Sequence, residues 1–207
     1  MVLRIVLLAA LGACVQAHRL DEYLQASLIS LEPDSVTVEL NLTPGVVVFG
    51  KVLALIDPDR DGSISPAERQ TYATRVLNDI SLAVDAHPRS LALVGVQFPP
   101  MEQMRDGLGT IRLLLQARFE SLPRGPHELR FENRHQPEIG AFLANALLPA
   151  DSISIARQSR DDRQTTINIG YSVRPSESAR RVDARLLLAA LLCAAALGGF
   201  LLNGRRL

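Results

Sequence analysis

The most regular pattern in the chain is alternation. Residues 35–42 read SVTVELNL, so Val36, Val38, Leu40 and Leu42 share one face of a strand, while Ser35, Thr37, Glu39 and Asn41 share the other. The run 23–31 joins it through Glu32-Pro33-Asp34, residues suited to a hairpin turn. Residues 110–119 place Ile111, Leu113, Leu115, Ala117 and Phe119 together, 128–132 turn Leu129 and Phe131 inward, and 165–173 do the same with Ile167, Ile169, Tyr171 and Val173. Shorter runs at 81–85 and 91–97 are split by His87-Pro88, and 152–158 is split from the last strand by Arg160-Asp161-Asp162-Arg163. About eight short strands separated by turn residues predict a mainly β fold, an antiparallel β-sandwich.

Two neighbouring segments abandon the period of two. In residues 65–80, SPAERQTYATRVLNDI, the residues Ala67, Tyr72, Val76 and Ile80 recur every four to five positions with Leu77 beside them, which predicts a helix with one buried face. Ser65 as N-cap, Pro66 at the first helical position and Glu68 at the third form a capping-box pattern. Residues 44–56, PGVVVFGKVLALI, are apolar enough for a short buried helix, although three consecutive valines and Gly50 work against it. A third aperiodic stretch, 137–149 with Phe142, Leu143, Leu147 and Leu148, fits a short buried helix or a partner-binding loop.

Between the two predicted helices lies DPDRDGSISPAE, residues 57–68. Its spacing, D-x-D-x-D-G-x5-E, is that of an EF-hand calcium loop. A hard cation such as Ca2+ takes six to eight oxygens at about 2.3–2.6 Å. Asp57, Asp59 and Asp61 supply carboxylates from alternate positions, Ser63 offers its backbone carbonyl, Ser65 contributes directly or through a water, and Glu68 closes the shell with two oxygens. Gly62, without a Cβ, permits the sharp turn. Magnesium tolerates a seven-oxygen shell with a bidentate glutamate poorly, so calcium is the expected ion. The EF-hand unit spans about 45–80, inserted among the strands. No second loop of this kind occurs, because Asp161-Asp162 lacks both the glycine and the closing glutamate. Ile64, at the loop position that bridges to a second hand where hands are paired, is expected to pack against the sandwich or another molecule.

Composition removes several alternatives. Lys+Arg and Asp+Glu balance at 22 each, so neither nucleic acid nor a polyanionic surface is an expected partner. No serine lies in G-x-S-x-G and no glycine-rich phosphate loop is present, so the chain is not expected to be an enzyme. The histidines form no ligand-spaced pair. His87 and His127 adjoin prolines in turn-like sequence and read as solvated, whereas His135, in ENRHQPE, is a candidate site residue.

Residues 1–17 carry one arginine, an apolar run and a Val15-Gln16-Ala17 ending, which predict a secretory signal peptide. Cleavage there exposes His18, whose amine and imidazole together suit a transition metal; Leu11-Gly12-Ala13-Cys14 offers the competing reading of a lipidated cysteine. Residues 186–203 form an apolar run near the lower length limit for a transmembrane helix, preceded by a polar linker at 174–185 and followed by a 204–207 tail expected to be cytoplasmic. Both cysteines, Cys14 and Cys193, fall in these end segments, so the 18–173 body must hold together without disulfides.

A mature start of the HRLDEYLQA type, a β-hairpin, one D-x-D-x-D-G loop with its helix and further strands resemble the extracytoplasmic domain that precedes the membrane part of some bacterial nickel/cobalt permease-like proteins. The resemblance covers roughly residues 18–173. One apolar helix here replaces the multi-span channel of those transporters. The expected protein is a calcium-binding module, anchored in the bacterial inner membrane with its main domain in the periplasm, that contacts another envelope protein, a metal transporter among the candidates. The alternative is an accessory or chaperone subunit for nickel, cobalt or copper uptake that uses His18 and His135.

Overall fold

The structure, a computed structural model, describes residues 21–149 and 151–174. The expected signal peptide, His18, nearly all of the linker and the expected transmembrane segment lie outside the described residues. Among the described residues no helix is long and apolar enough to cross a membrane.

The described chain is mainly β, in two sheets, as the alternation predicts. Its elements are β1 (Tyr23–Leu31), β2 (Ser35–Pro44), α1 (Phe49–Ile56), α2 (Pro66–Asn78), β3 (Ile80–Val84), β4 (His87–Pro88), β5 (Ala92–Gln97), α3 (Met101–Arg105), β6 (Ile111–Arg118), β7 (Gly125–Asn133), β8 (Gly140–Ala146), β9 (Ile153–Arg160) and β10 (Thr166–Val173). One sheet runs β5-β6-β2-β1-β8 and the other β4-β3-β7-β10-β9. Val36, Val38, Leu40 and Leu42 from the first sheet and Leu129, Phe131, Ile167 and Ile169 from the second belong to one hydrophobic cluster, an arrangement that fits a sandwich. All eight are fully or almost fully buried, so the face assigned to each strand from its period of two is the face that packs.

The helix-loop-helix joins β2 to β3, and those strands lie in different sheets. Among the described residues it is therefore the first crossover between the sheets. The helix α1 begins only after the valine run. Val46 and Val47 are exposed, a turn from Gly45 brings in Val48 and Phe49, and Phe49, Val52 and Ile56 supply the buried stripe. Along α2 the buried residues are Tyr72, Ala73 and Val76, whereas Ala67 is exposed and Ile80 has already entered β3. The four-to-five spacing over-extended that stripe at both ends.

The sheets are not purely antiparallel. β1 pairs with β2 on one side in antiparallel fashion and with β8 on the other in parallel, Tyr23 opposite Gly140 and Ile29 opposite Ala146. The strand β8 occupies the aperiodic stretch that read as a helix or loop. Its sequence, GAFLANA, has no β-branched residue, and its inward face offers one large side chain, Phe142, with Ala144 and a half-buried Ala146, too weak a pattern for alternation to register. Its free edge is partly covered by the second sheet. From β9, Arg160 Nε donates to the Ala144 carbonyl at 2.6 Å and Gln158 Oε1 accepts from the Ala146 amide at 3.4 Å, which blunts the edge against further strand pairing.

Opposite facings of adjacent residues separate a strand from a loop at this position. Phe142→Ala is expected to lower unfolding stability by about 3 kcal/mol or more, and Leu143→Ala, at a side chain 42% exposed, by no more than about 0.5 kcal/mol. Urea unfolding of both variants measures the difference, and equal losses would contradict the strand.

Candidate metal centre

Asp57 follows α1 directly as its C-cap, with its amide donating to the Leu53 carbonyl. It is therefore placed by a helix end and is 3% exposed, whereas Asp59 and Asp61 project from the loop into solvent. One carboxylate oxygen from each of the three lies within 4.8 Å of the others. Three like charges at this separation repel one another. The Asp61 amide pulls the Asp59 carboxyl downward, but the adjacent Asp57 side chain and the charges of Asp61 and Glu68 outweigh it, and Asp59 ends above the usual carboxylate range.

Short-range hydrogen bonds hold the loop in shape. The Asp61 amide donates to Asp59 Oδ1 at 3.3 Å, the Ser63 amide to Asp61 Oδ1 at 2.7 Å, and the Gly62 amide reaches back to Asp57 Oδ2 at 3.2 Å. These are aspartate-anchored turns. Gly62 has φ +80°, where a side chain would be strained, and Arg60 adopts the left-handed region at φ 61°. At the far end the capping box forms as read from the sequence. Ser65 Oγ accepts from the Glu68 amide at 3.3 Å, and Glu68 Oε2 accepts from the Ser65 amide at 2.8 Å.

Two carboxylate oxygens in the loop are buried without a hydrogen-bond partner, Asp57 Oδ1 and Glu68 Oε1. They belong to the first and last positions of the loop. Among the described residues no ion pair involves either carboxylate. A buried anionic oxygen without a partner costs free energy that a cation would recover. The donor set, hard oxygens only, fits a hard dication such as Ca2+ or Mg2+ better than a soft transition metal. Of the residues expected to bind, the structure gathers Asp57, Asp59 and Asp61, keeps Ser63 exposed with its amide tied to Asp61, and commits Ser65 and one oxygen of Glu68 to the helix cap. Glu68 lies outside the compact trio.

Ile64 packs against the core cluster, while its carbonyl accepts from Arg69 Nε at 3.2 Å. Below the loop, α2 is tied into both sheets by a buried polar chain that the sequence does not announce. Tyr23 Oη lies 2.5 Å from Tyr72 Oη, Tyr72 Oη lies 3.1 Å from His135 Nε2, and His135 Nδ1 lies 2.8 Å from Asp79 Oδ2. The carboxylate can only accept, so Nδ1 carries the proton, Tyr72 donates to Nε2 and Tyr23 donates to Tyr72. Gln25 donates to the His135 carbonyl at 2.7 Å and accepts from Asn133 at 3.0 Å, and Asn133 accepts from the His135 amide at 2.9 Å. His135 is fully buried, and burial holds its imidazole below the usual histidine range despite the Asp79 carboxylate. With both ring nitrogens hydrogen-bonded, His135 is a structural residue with no lone pair free for a metal.

His127 also departs from its expected solvated state. Its side chain is 6% exposed, Nδ1 faces Asp85 Oδ2 at 2.7 Å and Nε2 faces the Pro123 carbonyl at 2.8 Å. Only the doubly protonated ring donates to both. Burial alone would lower its pKa, but the hydrogen bonds to Asp85 and Pro123 prevail and raise it. Burial likewise acts to raise Asp85, and the His127 hydrogen bond with the Glu128 amide brings it down instead.

No protein-family model matches this chain, and no curated protein matches it either.

Because the pKa of His127 is raised on folding, its stabilising charge is fully present below the unfolded value of about 6.5 and is lost as pH rises through the folded value. Asp85, lowered on folding, contributes above about 3.9 and loses its contribution as pH falls through the folded value. His127→Gln is therefore expected to reduce the urea midpoint more near pH 5 than near pH 9, and an equal reduction at both would contradict a charged pair.

Proposed function

We propose that the loop from Asp57 to Glu68 is a calcium site of the EF-hand kind, and that the protein is a calcium-binding module in which the ion braces the crossover between two sheets. One observation carries this reading: among the described residues the carboxylate oxygens that are buried without a hydrogen-bond partner are those of Asp57 and Glu68, the residues that open and close the loop. Chance turns rich in aspartate have their carboxylates in solvent, with no reason to bury one.

A bound dication would supply a partner for the two carboxylate oxygens that no side chain of the loop, Arg60 included, hydrogen-bonds. Asp57, Asp59, Asp61 and Glu68 would hold it, together with the Ser63 carbonyl and Ser65 directly or through a water. The aspartate-anchored turns pre-shape the loop, which lowers the conformational cost of closing on the ion. The unpaired loop, with Ile64 half-buried against the core rather than bridged to a second hand, supports a structural or modulatory ion over a switch. Attachment to the bacterial inner membrane, exposure to the periplasm and contact with another envelope protein remain part of the proposal on sequence grounds, through residues 1–17 and 186–203. The transition-metal alternative loses one of its two histidines, since both ring nitrogens of His135 are engaged.

Thermal unfolding of the full-length chain tests the ion directly. Calcium at ten times its dissociation constant is expected to stabilise the fold by about 1.4 kcal/mol, with magnesium weaker and nickel weaker still. Asp57→Asn and Glu68→Gln should each abolish the response. A calcium effect that survives both substitutions would refute the site.

A further inference from the structure

The loop and the buried polar chain share one helix. Glu68 lies in the first turn of α2, Tyr72 lies four residues later on the same face, and Asp79 is the C-cap. The helix is fastened at its N-terminus by the Ser65–Glu68 capping box, in its middle by Tyr72 and at its end by Asp79, which reaches His135 Nδ1. Tyr23, Tyr72 and His135 are each fully buried, and both hydroxyl hydrogens and both ring nitrogens in the Tyr23–Tyr72–His135–Asp79 chain are engaged. The other helix shares the same support. The Gly45 amide, just ahead of α1, donates to the Glu22 carbonyl at 2.9 Å, next to Tyr23, and the Tyr23 amide donates to the Ile139 carbonyl at 2.7 Å, just before β8.

We propose that Tyr72 and His135 are positioning residues for the ion site: the buried chain fixes where α2 lies, and so fixes where Glu68 stands relative to the three aspartates. This rests on the calcium reading of the loop. Glu68 divides its two oxygens between the helix cap, through Oε2, and an unpartnered Oε1. Drawing it onto an ion shifts the first turn of α2, and a packed helix passes such a shift along its length as a small rigid displacement. Tyr72, held between two hydroxyl and imidazole partners, resists or registers it. By linkage, whatever the buried chain does to ion affinity the ion does to the chain. Tyr72→Phe leaves the Tyr23 hydroxyl and His135 Nε2 without their partner and loosens α2, so Glu68 is less well placed and the ion binds more weakly.

The chain contains no tryptophan and three tyrosines, Tyr23, Tyr72 and Tyr171, two of which lie in the buried chain. Tyrosine fluorescence of the full-length protein therefore reports on it. Calcium is expected to change the tyrosine emission of the unsubstituted protein and of Tyr171→Phe, and to leave that of Tyr72→Phe unchanged. Calorimetric titration should show Tyr72→Phe weakening calcium binding by about twofold to thirtyfold, while Ile169→Val, a core change in the other sheet, leaves the dissociation constant unaltered. Tyr23→Phe, which preserves the Tyr72–His135 bond, serves as the second variant if Tyr72→Phe fails to unfold cooperatively, and is expected to weaken binding in the same sense. Absence of calcium binding in the unsubstituted protein would refute the calcium reading itself. Calcium binding that is equally tight in Tyr72→Phe and Tyr23→Phe, with no tyrosine response in the unsubstituted protein, would leave that reading intact and overturn the coupling.

Discussion

Asp57 sets the terms for the region around it. As the C-cap of α1 it is held almost out of solvent, and one of its oxygens has no hydrogen-bond partner. A second carboxylate oxygen, on Glu68 at the start of α2, is in the same condition. Both helices thus deliver an unsatisfied negative group to the loop between them, and two exposed aspartates add like charge beside it. Folding would avoid this arrangement unless something offset it, because buried carboxylates are otherwise paired or protonated. A dication, as proposed above, would offset it, with three carboxylates already gathered.

The cost of holding that loop together is spread over the domain. The helix-loop-helix is the crossover from one sheet to the other, so its geometry bears on how the layers face each other. Its exit helix is fixed by a buried hydrogen-bonded chain that draws Tyr23 and Gln25 from β1, Asn133 from the end of β7, and His135 from the segment leading to β8. Removing a single partner from such a buried chain leaves donors or acceptors stranded, which is why its members are more constrained than their polar character implies. The chain provides positional specificity, while the apolar faces of the two sheets supply most of the cohesion.

Much of this was legible in the residue order because its physics is local. A period of two marks which side of β2, β6, β7 and β10 is buried, and the capping box of α2 needs only Ser65, Pro66 and Glu68 at their spacing. The acidic cluster of Asp57, Asp59 and Asp61 was legible for the same reason. The rest depended on contacts distant in sequence. The strand β8 carries too few inward positions for a pattern, and its parallel pairing with β1 joins residues more than one hundred positions apart. His135 reads as a candidate site residue in ENRHQPE because of its polar surroundings, yet those surroundings are its buried structural partners. His127 gives the same lesson through Asp85, which is 42 positions away. Polarity in sequence says that a group needs hydrogen bonds, not who provides them.

The most direct test of the account is a crystal structure of the full-length chain grown with calcium. An ordered ion is expected within about 2.3–2.6 Å of oxygens from Asp57, Asp59, Asp61 and Glu68, with Asp57 Oδ1 and Glu68 Oε1 among its ligands. A loop that keeps both of those oxygens unpartnered, or fills the space between them with water or the Arg60 guanidinium at saturating calcium, would contradict it.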